Sequence, residues 1–289
     1  MSILARTAGA LTVLSLSLAV PLSGAHADFG HGDVVGHVYV DDNTAGLNTV
    51  DGFNQHGDGT LTPMLGSPFV VGGAGTGTGI GSQDSLRLSD DGRYLLAADA
   101  GSSQISVLRI RRNGALAPVE DSPFASGGNE PVSIAVHGRL VYVANTGAGG
   151  ANYTGFVLNP GGHLRPLPGS TVPVPDGSGL GDVLFNGTGT LLIGIRVNTS
   201  VIDSFSVNDR RLTAASGSPF AAQAAGPFGS EFRPTDPSQL FVSNAHAGAG
   251  NGSVSAFSDG VLGALSPIGA SPYADNQTAP CWVTISSDG

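Results

Sequence analysis

The chain has 289 residues, including 45 Gly and 18 Pro, and its formal net charge is −10 with only 12% charged residues. Gly and Pro at this frequency interrupt helices, and the excess of carboxylates argues against nucleic acid and anionic membrane surfaces as partners. All 12 basic residues are Arg, which excludes a lysine Schiff base or a lysine general base.

The first 27 residues have the features of an export signal. Arg6 precedes a short apolar run at 11–22, LTVLSLSLAVPL, and an A-x-A cleavage site follows at 25–27. The run is about a dozen residues long, whereas a membrane-spanning helix needs about 20. We therefore predict a signal peptide over 1–27, a mobile mature N-terminus over 28–36, and a secreted protein, extracellular or periplasmic, with no membrane span.

From residue 37 onward, short stretches of alternating apolar and polar residues are separated by Gly, Asn and Asp turns. The clearest copy lies at 85–124 and contains four such stretches, which is typical of an antiparallel meander. Its last strand ends in Ser-Pro-Phe, and this motif or a variant recurs at spacings of 48 to 55 residues. The serines that anchor the five copies are Ser67, Ser122, Ser170, Ser218 and Ser271.

Four strands repeated about every 50 residues are the signature of a β-propeller, in which each repeat is one blade around a central channel. The alternative is a β-sandwich with evenly spaced strands. We predict one all-β propeller domain over 37–289. Its blades are expected at 37–76, 82–128, 129–177, 178–226 and 227–278, with a partial repeat at 279–289.

The two ends of the repeat array leave two interpretations open. The first repeat begins at its second strand, near His37, and the last consists of a first strand only, Cys281 to Ser286. That final strand would either pair with blade 1 and close a five-bladed ring, or belong to an incomplete propeller whose further blades follow Gly289. We favour the second interpretation slightly, because the sequence stops where the next second strand would begin.

Several motifs together resemble the seven-bladed lactonase-type propellers, which include bacterial 6-phosphogluconolactonase-like proteins and 3-carboxymuconate cyclase-like enzymes. They are VAN at 143–145, VSN at 242–244, DGRYL at 91–95 and PCWVTISSDG at 280–289. The resemblance covers nearly all of 34–289 and implies seven blades and lactone hydrolysis or cyclisation. The first strands begin QDS, PVS, GDV, SEF and PCW, without the family's His motifs, so it assigns no catalytic residue here.

Propeller sites gather where strand four leads into strand one and strand two into strand three, because those loops converge on the channel. A carboxylate there would act as general base on water, and an Arg would hold an anionic substrate or stabilise an oxyanion. The alternative is that polar residues at strand ends only cap turns. The predicted catalytic residues are Glu231, Asp182 and His246. The predicted substrate-binding residues are Arg196, Arg233, Asp84 and Asn244.

The leading hypothesis is a secreted lactonase-type propeller that acts, if it is an enzyme, on a small anionic lactone. One alternative is a non-catalytic exported propeller that binds a glycan, a peptide or a surface partner. A second is a five-bladed glycosidase using Asp84, Asp182 and Glu231. We expect a monomer that uses no cofactor and no metal.

Overall fold

The computed structural model describes residues 32–289, and the predicted signal peptide at 1–27 lies outside this range. The described chain is all-β: 24 strands form five antiparallel sheets, and one 3₁₀ turn spans Val261–Gly263. The predicted fold class, an all-β propeller with about five blades, is confirmed. No helix within the described range is long and apolar enough to cross a membrane.

Each sheet is one blade. Blade 1 contains β1 (Val34–Asp41), β2 (Thr49–His56), β3 (Leu61–Pro63) and β4 (Phe69–Val70). Blade 2 contains β5 (Leu86–Leu88), β6 (Tyr94–Asp99), β7 (Gln104–Ile110), β8 (Leu116–Pro118) and β9 (Phe124–Ala125). Blade 3 contains β10 (Pro131–His137), β11 (Leu140–Asn145), β12 (Asn152–Leu158), β13 (Leu164–Pro166) and β14 (Val172–Pro173). Blade 4 contains β15 (Leu180–Phe185), β16 (Leu191–Arg196), β17 (Val201–Asn208), β18 (Arg211–Ala214) and β19 (Phe220–Ala221). Blade 5 contains β20 (Pro227–Arg233), β21 (Asp236–Asn244), β22 (Ser253–Asp259), β23 (Leu265–Pro267) and β24 (Tyr273–Ala274).

Blades 2 to 5 share one topology. The innermost strand pairs only with the second, the second pairs with the third, and two short strands share the outer edge of the third. In blade 3, β10 pairs with β11, β11 with β12, and both β13 and β14 with β12. Blade 1 begins at the second position: β1 starts at Val34 rather than near His37, and among the described strands it pairs only with β2.

The recurring anchor serine has a structural explanation. In every blade its hydroxyl accepts a hydrogen bond from a backbone N–H of the third strand, at 2.6 to 3.0 Å. The serine lies in the gap between the two short outer strands, as Ser122 does between β8 and β9. It therefore satisfies an N–H group that the interrupted fourth strand leaves without a partner. Ser170 makes the same bond in blade 3 although no Pro follows it.

The hydrophobic core lies between neighbouring blades. Four clusters of buried apolar side chains join blades 1 and 2, 2 and 3, 3 and 4, and 4 and 5. In the second of these, Tyr94 and Ile105 of blade 2 pack with Ile134 and Phe156 of blade 3. Strands β6 and β11 are buried along their whole length for this reason, whereas every residue of β1 is half-buried or exposed.

Residues 281–286 do not form the strand that the alternating pattern predicts. Instead, the Ser243 hydroxyl of blade 5 donates to Cys281 O at 3.0 Å, and the Trp282 indole N–H donates to Ser82 O at 3.0 Å. The Val283 N–H donates to the Gln83 side chain, also at 3.0 Å. Within the described chain, this segment therefore connects blade 5 to the loop before blade 2 and makes no ladder with β1.

Candidate active site at the mouth of the channel

The innermost strands β5, β10, β15 and β20 lie next to one another and enclose the channel. Gln83, in the loop that precedes β5, spans it. Its backbone N–H donates to Gly181 O of blade 4, and its side-chain amide donates to Ser230 O of blade 5, both at 2.9 Å. This loop therefore fixes the position of blade 2 relative to the opposite side of the ring.

Asp182, on the innermost strand of blade 4, is fully buried in the channel wall. One carboxyl oxygen accepts hydrogen bonds from the Ser230 N–H and hydroxyl, at 2.9 and 2.7 Å, and the other accepts from the Ser133 hydroxyl at 3.2 Å. Burial raises the pKa of Asp182 to about 8, and the nearby Asp84 carboxylate adds to the rise, against the hydrogen bonds from the two serines. Burial therefore favours the protonated form of this carboxyl.

Asp84, Arg87 and Glu231 form the charged part of the same cluster. Arg87 Nη1 lies 3.0 Å from both Asp84 carboxyl oxygens, and its side chain is 37% exposed. Burial raises the pKa of Asp84, and the Arg87 cation opposes that rise. Burial likewise raises the pKa of Glu231. The Arg87 cation opposes this rise, and the Asp84 carboxylate adds to it. The structure thus brings together three of the predicted residues, Asp84, Asp182 and Glu231.

A cavity of about 710 Å³ lies at the face of the propeller where the innermost strands begin. We call it the mouth cavity. Its walls come from the loop after β1 (41–45), the loop before β5 (77–82 and Ser85), Phe228, and residues 281–282. A volume of this size accommodates a small organic ligand.

Asp41 is the most unusual carboxyl of the mouth cavity. Its Oδ1 accepts a hydrogen bond from Asn48 Nδ2 at 3.0 Å, whereas its Oδ2 is buried and has no hydrogen-bond partner. Burial raises the pKa of Asp41 to about 6; hydrogen bonds from Asn48 and Asn43 and the nearby Ser85 hydroxyl oppose this rise, and the Asp99 carboxylate increases it. An unpaired buried acceptor costs free energy, so a donor that reached this oxygen would be bound favourably.

Ser82 supplies a second unsatisfied group in the same wall. Its hydroxyl oxygen is buried and has no hydrogen-bond partner within the described chain. The main chain of Ser82 is held in place, because its carbonyl accepts the Trp282 indole N–H. The wall of the mouth cavity therefore has two buried side-chain atoms without a hydrogen-bond partner in the described chain, Asp41 Oδ2 and Ser82 Oγ, which lie behind the cavity surface.

Two predicted residues, Arg196 and Asn244, belong to a polar pair that each blade repeats. The last residue of the second strand bonds to a side chain at the start of the third. Arg196 Nε and Nη2 donate to the two Asp203 oxygens, at 2.6 and 2.7 Å. Asn244 is buried and donates to the Ser253 and Ser255 hydroxyls, at 3.0 and 2.9 Å.

Arg233 and His246 lie outside the channel cluster and are not among the residues that line the mouth cavity. Arg233 ends β20, whose seven residues extend about 20 Å from the mouth. There it donates to Gly289 O at 2.7 Å and to the Gln239 side chain at 3.0 Å. His246 is exposed in the loop after β21, and its backbone N–H donates to Ala225 O.

Three solved structures with lactonase names share this arrangement of blades. A candidate 6-phosphogluconolactonase from Bacteroides uniformis covers 88% of this chain and 72% of its own, with a TM-score of 0.69 and 18% identity. One from Bacteroides fragilis gives the same coverage and TM-score with 20% identity. The periplasmic gluconolactonase PpgL of Pseudomonas aeruginosa covers 84% of this chain and 68% of its own, with a TM-score of 0.61 and 18% identity.

The chain has a lactonase-type β-propeller fold. No protein-family profile matches it, and no curated protein matches its sequence. At these identities the structural likeness establishes the fold alone, so the chemistry of this propeller has to be argued from its own residues. The resemblance of its motifs to lactonase-type propellers is borne out at the level of the fold.

Sequence reasoning missed two residues of this propeller that stand out in the structure. Arg87 is the basic residue of the channel cluster, and its position three residues after Asp84 was the available signal. Asp41, rather than Asp42, corresponds to Asp99 at the end of a second strand, as the match of GHVYVD at 36–41 with YLLAAD at 94–99 indicates. Trp282 lies at the start of the last predicted first strand, so its position at the mouth is expected, whereas its 71% exposure had no sequence signal because its alternating context predicts a strand.

Proposed function

We propose that this protein hydrolyses a small lactone, or forms one by the reverse reaction, in the mouth cavity. The single observation that supports this most is the pair of unsatisfied groups in the cavity wall, the Asp41 carboxyl oxygen and the Ser82 hydroxyl. A general base and a hydrogen-bond donor are the two groups that addition of water to a carbonyl requires. The lactonase-type fold supports the choice of a lactone as the reacting group.

In the proposed reaction, the Asp41 carboxyl turns Oδ2 toward the cavity, and this oxygen accepts a proton from water as the water oxygen adds to the lactone carbonyl carbon. The Ser82 hydroxyl donates a hydrogen bond to the carbonyl oxygen as negative charge develops on it. The ring C–O bond then breaks, and Asp41 returns the proton to the leaving alkoxide. The product is an open-chain hydroxy acid, and ring closure follows the same steps in reverse.

Asn48 acts as a positioning residue in this scheme. Its side-chain amide donates to Asp41 Oδ1 and to Asp99 Oδ1, at 3.0 and 3.1 Å. These bonds fix the Asp41 carboxyl, so that Oδ2 is the oxygen that remains for proton transfer. Burial raises the pKa of Asp41 to about 6, which suits a base that works near neutral pH.

Glu231, Asp182 and His246 stay predictions as catalytic residues. Glu231 and Asp182 lie deeper in the channel, and all three are absent from the lining of the mouth cavity within the described chain. We therefore propose Asp41 as the first base to test, with Glu231 as the second. Export is also a proposal, which rests on the signal-like residues 1–27.

The decisive experiment measures acid release from δ-gluconolactone in a pH-stat at pH 6.5, corrected for spontaneous hydrolysis. We compare the wild-type protein with Asp41→Asn and with Glu120→Gln, a matched exposed carboxyl-to-amide change outside the cavity. The proposal expects protein-dependent turnover that Asp41→Asn reduces at least about 100-fold and Glu120→Gln leaves intact. If Glu231→Gln abolishes turnover and Asp41→Asn does not, the general base is Glu231 in the channel and not Asp41. No turnover by folded protein would favour the non-catalytic binding protein instead.

A further inference from the structure

Most arginines of the described chain lie on the face of the propeller opposite the mouth. The innermost strands begin at the mouth and neighbouring strands are antiparallel, so the turns from first to second strand and from third strand to outer edge lie at that far face. We call the part formed by blades 2 and 3 the arginine face. Its six arginines are all exposed: Arg93, Arg109, Arg111, Arg112, Arg139 and Arg165. The corresponding turn of blade 4 carries Arg210 and Arg211.

Five of these six arginines form no ion pair within the described chain. The exception is Arg93, whose Nε lies 2.7 Å from Asp91 Oδ2. The other carboxylate of these turns, Asp90, accepts a backbone N–H of blade 3, and Glu120 and Asp121 lie farther out, between β8 and β9. The arginine face is therefore positively charged, although the whole chain has a net charge of −10. Exposed cations without counter-charges attract an anion.

Two of the arginines are held against one aromatic ring. The guanidinium carbons of Arg93 and Arg109 lie 5.6 and 5.0 Å from the centroid of the Tyr94 ring. Tyr94 is buried, and its hydroxyl donates to Pro160 O of blade 3 at 2.8 Å. Arg109 Nη2 also donates to Gly161 O at 3.3 Å. These contacts hold two cations close together at the boundary of blades 2 and 3, so less side-chain entropy is lost when an anion binds.

A cleft of about 260 Å³ runs along this boundary, and its lining includes Arg93 from blade 2 and Arg139 from blade 3. Arg139 Nε donates to Leu158 O at 2.9 Å, and Arg93 Nε is paired with Asp91. Within the described chain neither arginine uses its Nη groups in a hydrogen bond. A guanidinium fork matches the two oxygens of a carboxylate, so the cleft suits an anionic group of a larger molecule.

The surroundings of these arginines are hydrophilic. None of the large apolar side chains exposed in the described chain lies in the turns that carry them, and Leu88, at the end of β5, lines a separate cavity beside blade 1. The centre of a protein interface is usually apolar or aromatic, and insertion into a membrane requires exposed apolar groups. Single-stranded nucleic acid stacks on exposed aromatic side chains, whereas Tyr94 is buried. The face therefore favours a hydrophilic chain with repeated anionic groups.

We propose that the arginine face binds an acidic polysaccharide, a chain of sugars that carries carboxylate groups at regular intervals. One carboxylate enters the cleft between Arg93 and Arg139, and others along the chain pair with Arg111 and Arg112 in the turn after β7. This face lies opposite the mouth cavity, so the inference does not rest on the proposed function.

Sodium alginate is the probe, because every sugar of this polymer carries a carboxylate. We would titrate it into the full-length protein at neutral pH and measure the heat of binding. We expect saturable binding that weakens at least about tenfold between about 50 and about 300 mM NaCl, because salt screens exposed charges. Arg139→Gln should weaken binding at least about threefold and R111Q/R112Q at least about tenfold. Arg233→Gln, the matched change in blade 5, should stay within about twofold of the wild-type protein.

Equal binding of dextran, a neutral polysaccharide, would overturn the proposal, as would no saturable binding of alginate up to about 10 mM uronate. Tighter binding of a DNA duplex or of phosphatidylglycerol vesicles than of alginate, compared per anionic charge, would assign the face to another class of partner and also contradict it. Unchanged alginate affinity in both Arg139→Gln and R111Q/R112Q would place the binding elsewhere. The thermal unfolding midpoint and lactone turnover of R111Q/R112Q should be unchanged, because both side chains are exposed and lie outside the mouth cavity. Failure of the proposed function would therefore leave this inference standing.

Discussion

Arg196 holds both carboxyl oxygens of Asp203, with Nε 2.6 Å from Oδ2 and Nη2 2.7 Å from Oδ1. The Tyr153 hydroxyl of the preceding blade donates to the same Oδ2 at 2.8 Å. Burial raises the pKa of Tyr153 well above its usual value, and the Asp203 carboxylate adds to this. The three side chains thus link blade 3 to blade 4, and this favours a structural role for Arg196 over the predicted contact with substrate.

The Arg196–Asp203 pair should matter for stability. Arg196→Met leaves the Asp203 carboxylate, only 3% exposed, without its cation, so we expect a loss of about 3–5 kcal/mol in the free energy of unfolding. The double change R196N/D203N copies the neutral pair Asn145–Asn152 of blade 3 and should lose less than the single change. Urea unfolding of the three proteins measures this. An unchanged midpoint for Arg196→Met would leave Arg196 available for a substrate.

Gly194 allows Tyr153 to reach Asp203. A Cβ atom at residue 194 would overlap the Tyr153 ring and hydroxyl, which the surrounding core holds in place. We expect Gly194→Ala to cost about 1–3 kcal/mol of stability by overpacking. The same change at Gly187, whose Cβ would meet only Pro237 at 3.4 Å, is the control. Equal unfolding midpoints for the two variants would contradict the tight contact at residue 194.

Asp182 should make the protein less stable as the pH rises. An Asp in an unfolded chain titrates near 3.9, whereas the pKa of Asp182 in the folded protein is about 8. Between these values the folded protein binds a proton that the unfolded chain does not, so the free energy of unfolding falls as the pH rises from about 4 to about 8. Asp182→Asn removes this proton while keeping an acceptor for Ser230.

Thermal unfolding at pH 5 and pH 8 checks this. The midpoint of Asp182→Asn, relative to that of the wild-type protein, should increase by ~5 °C or more between the two pH values. Glu120→Gln should follow the wild-type curve. Parallel pH curves for Asp182→Asn and wild type would show that Asp182 does not carry a proton in the folded state.

The pH dependence of turnover should identify Asp41. The base acts in its ionised form, so kcat/KM should rise about tenfold per pH unit below pH 6 and level off above the pKa of about 6. In Asp41→Asn this limb should disappear together with most of the activity. Asn48→Ala, which removes a hydrogen bond that favours the ionised carboxylate, should shift the limb to higher pH. If kcat/KM of both Asp41→Asn and Asn48→Ala still rises over the same pH range as that of the wild-type protein, the titrating group is not Asp41.

The blade architecture could be predicted because each blade repeats the same local requirements. The turn residues and the anchor serines recur with the fold. In blades 1 and 5, for example, the Ser67 and Ser271 hydroxyls each accept a backbone N–H of the third strand. The terminal segment could not be predicted in this way. Its residues alternate like a strand, but contacts to Ser82 and Gln83, far away in sequence, determine its conformation.

The candidate site was only partly predictable. Asp182 is fully buried and Glu231 half-buried, and both were predicted because they are carboxylates at the start of innermost strands. Asp41 occupies a position that the repeat fills with a polar residue in every blade, so the sequence does not distinguish it. Its buried oxygen without a hydrogen-bond partner depends on the positions of neighbouring loops. The absence of a hydrogen-bond partner for this oxygen cannot be read from residue type or spacing.

The hydrogen bonds of Gln83 also have a consequence for how the protein folds. Within a blade, each strand pairs with a neighbour a few residues away, so a blade can form as soon as its own residues are available. Gln83, in contrast, bonds to residues 147 and 200 positions later in the chain. Contacts between residues so far apart in sequence form slowly, because the chain loses the entropy of closing a long loop before the contacts can stabilise it. During synthesis, blade 2 can therefore form before Ser230 and Val283, the late partners of Gln83, have been made.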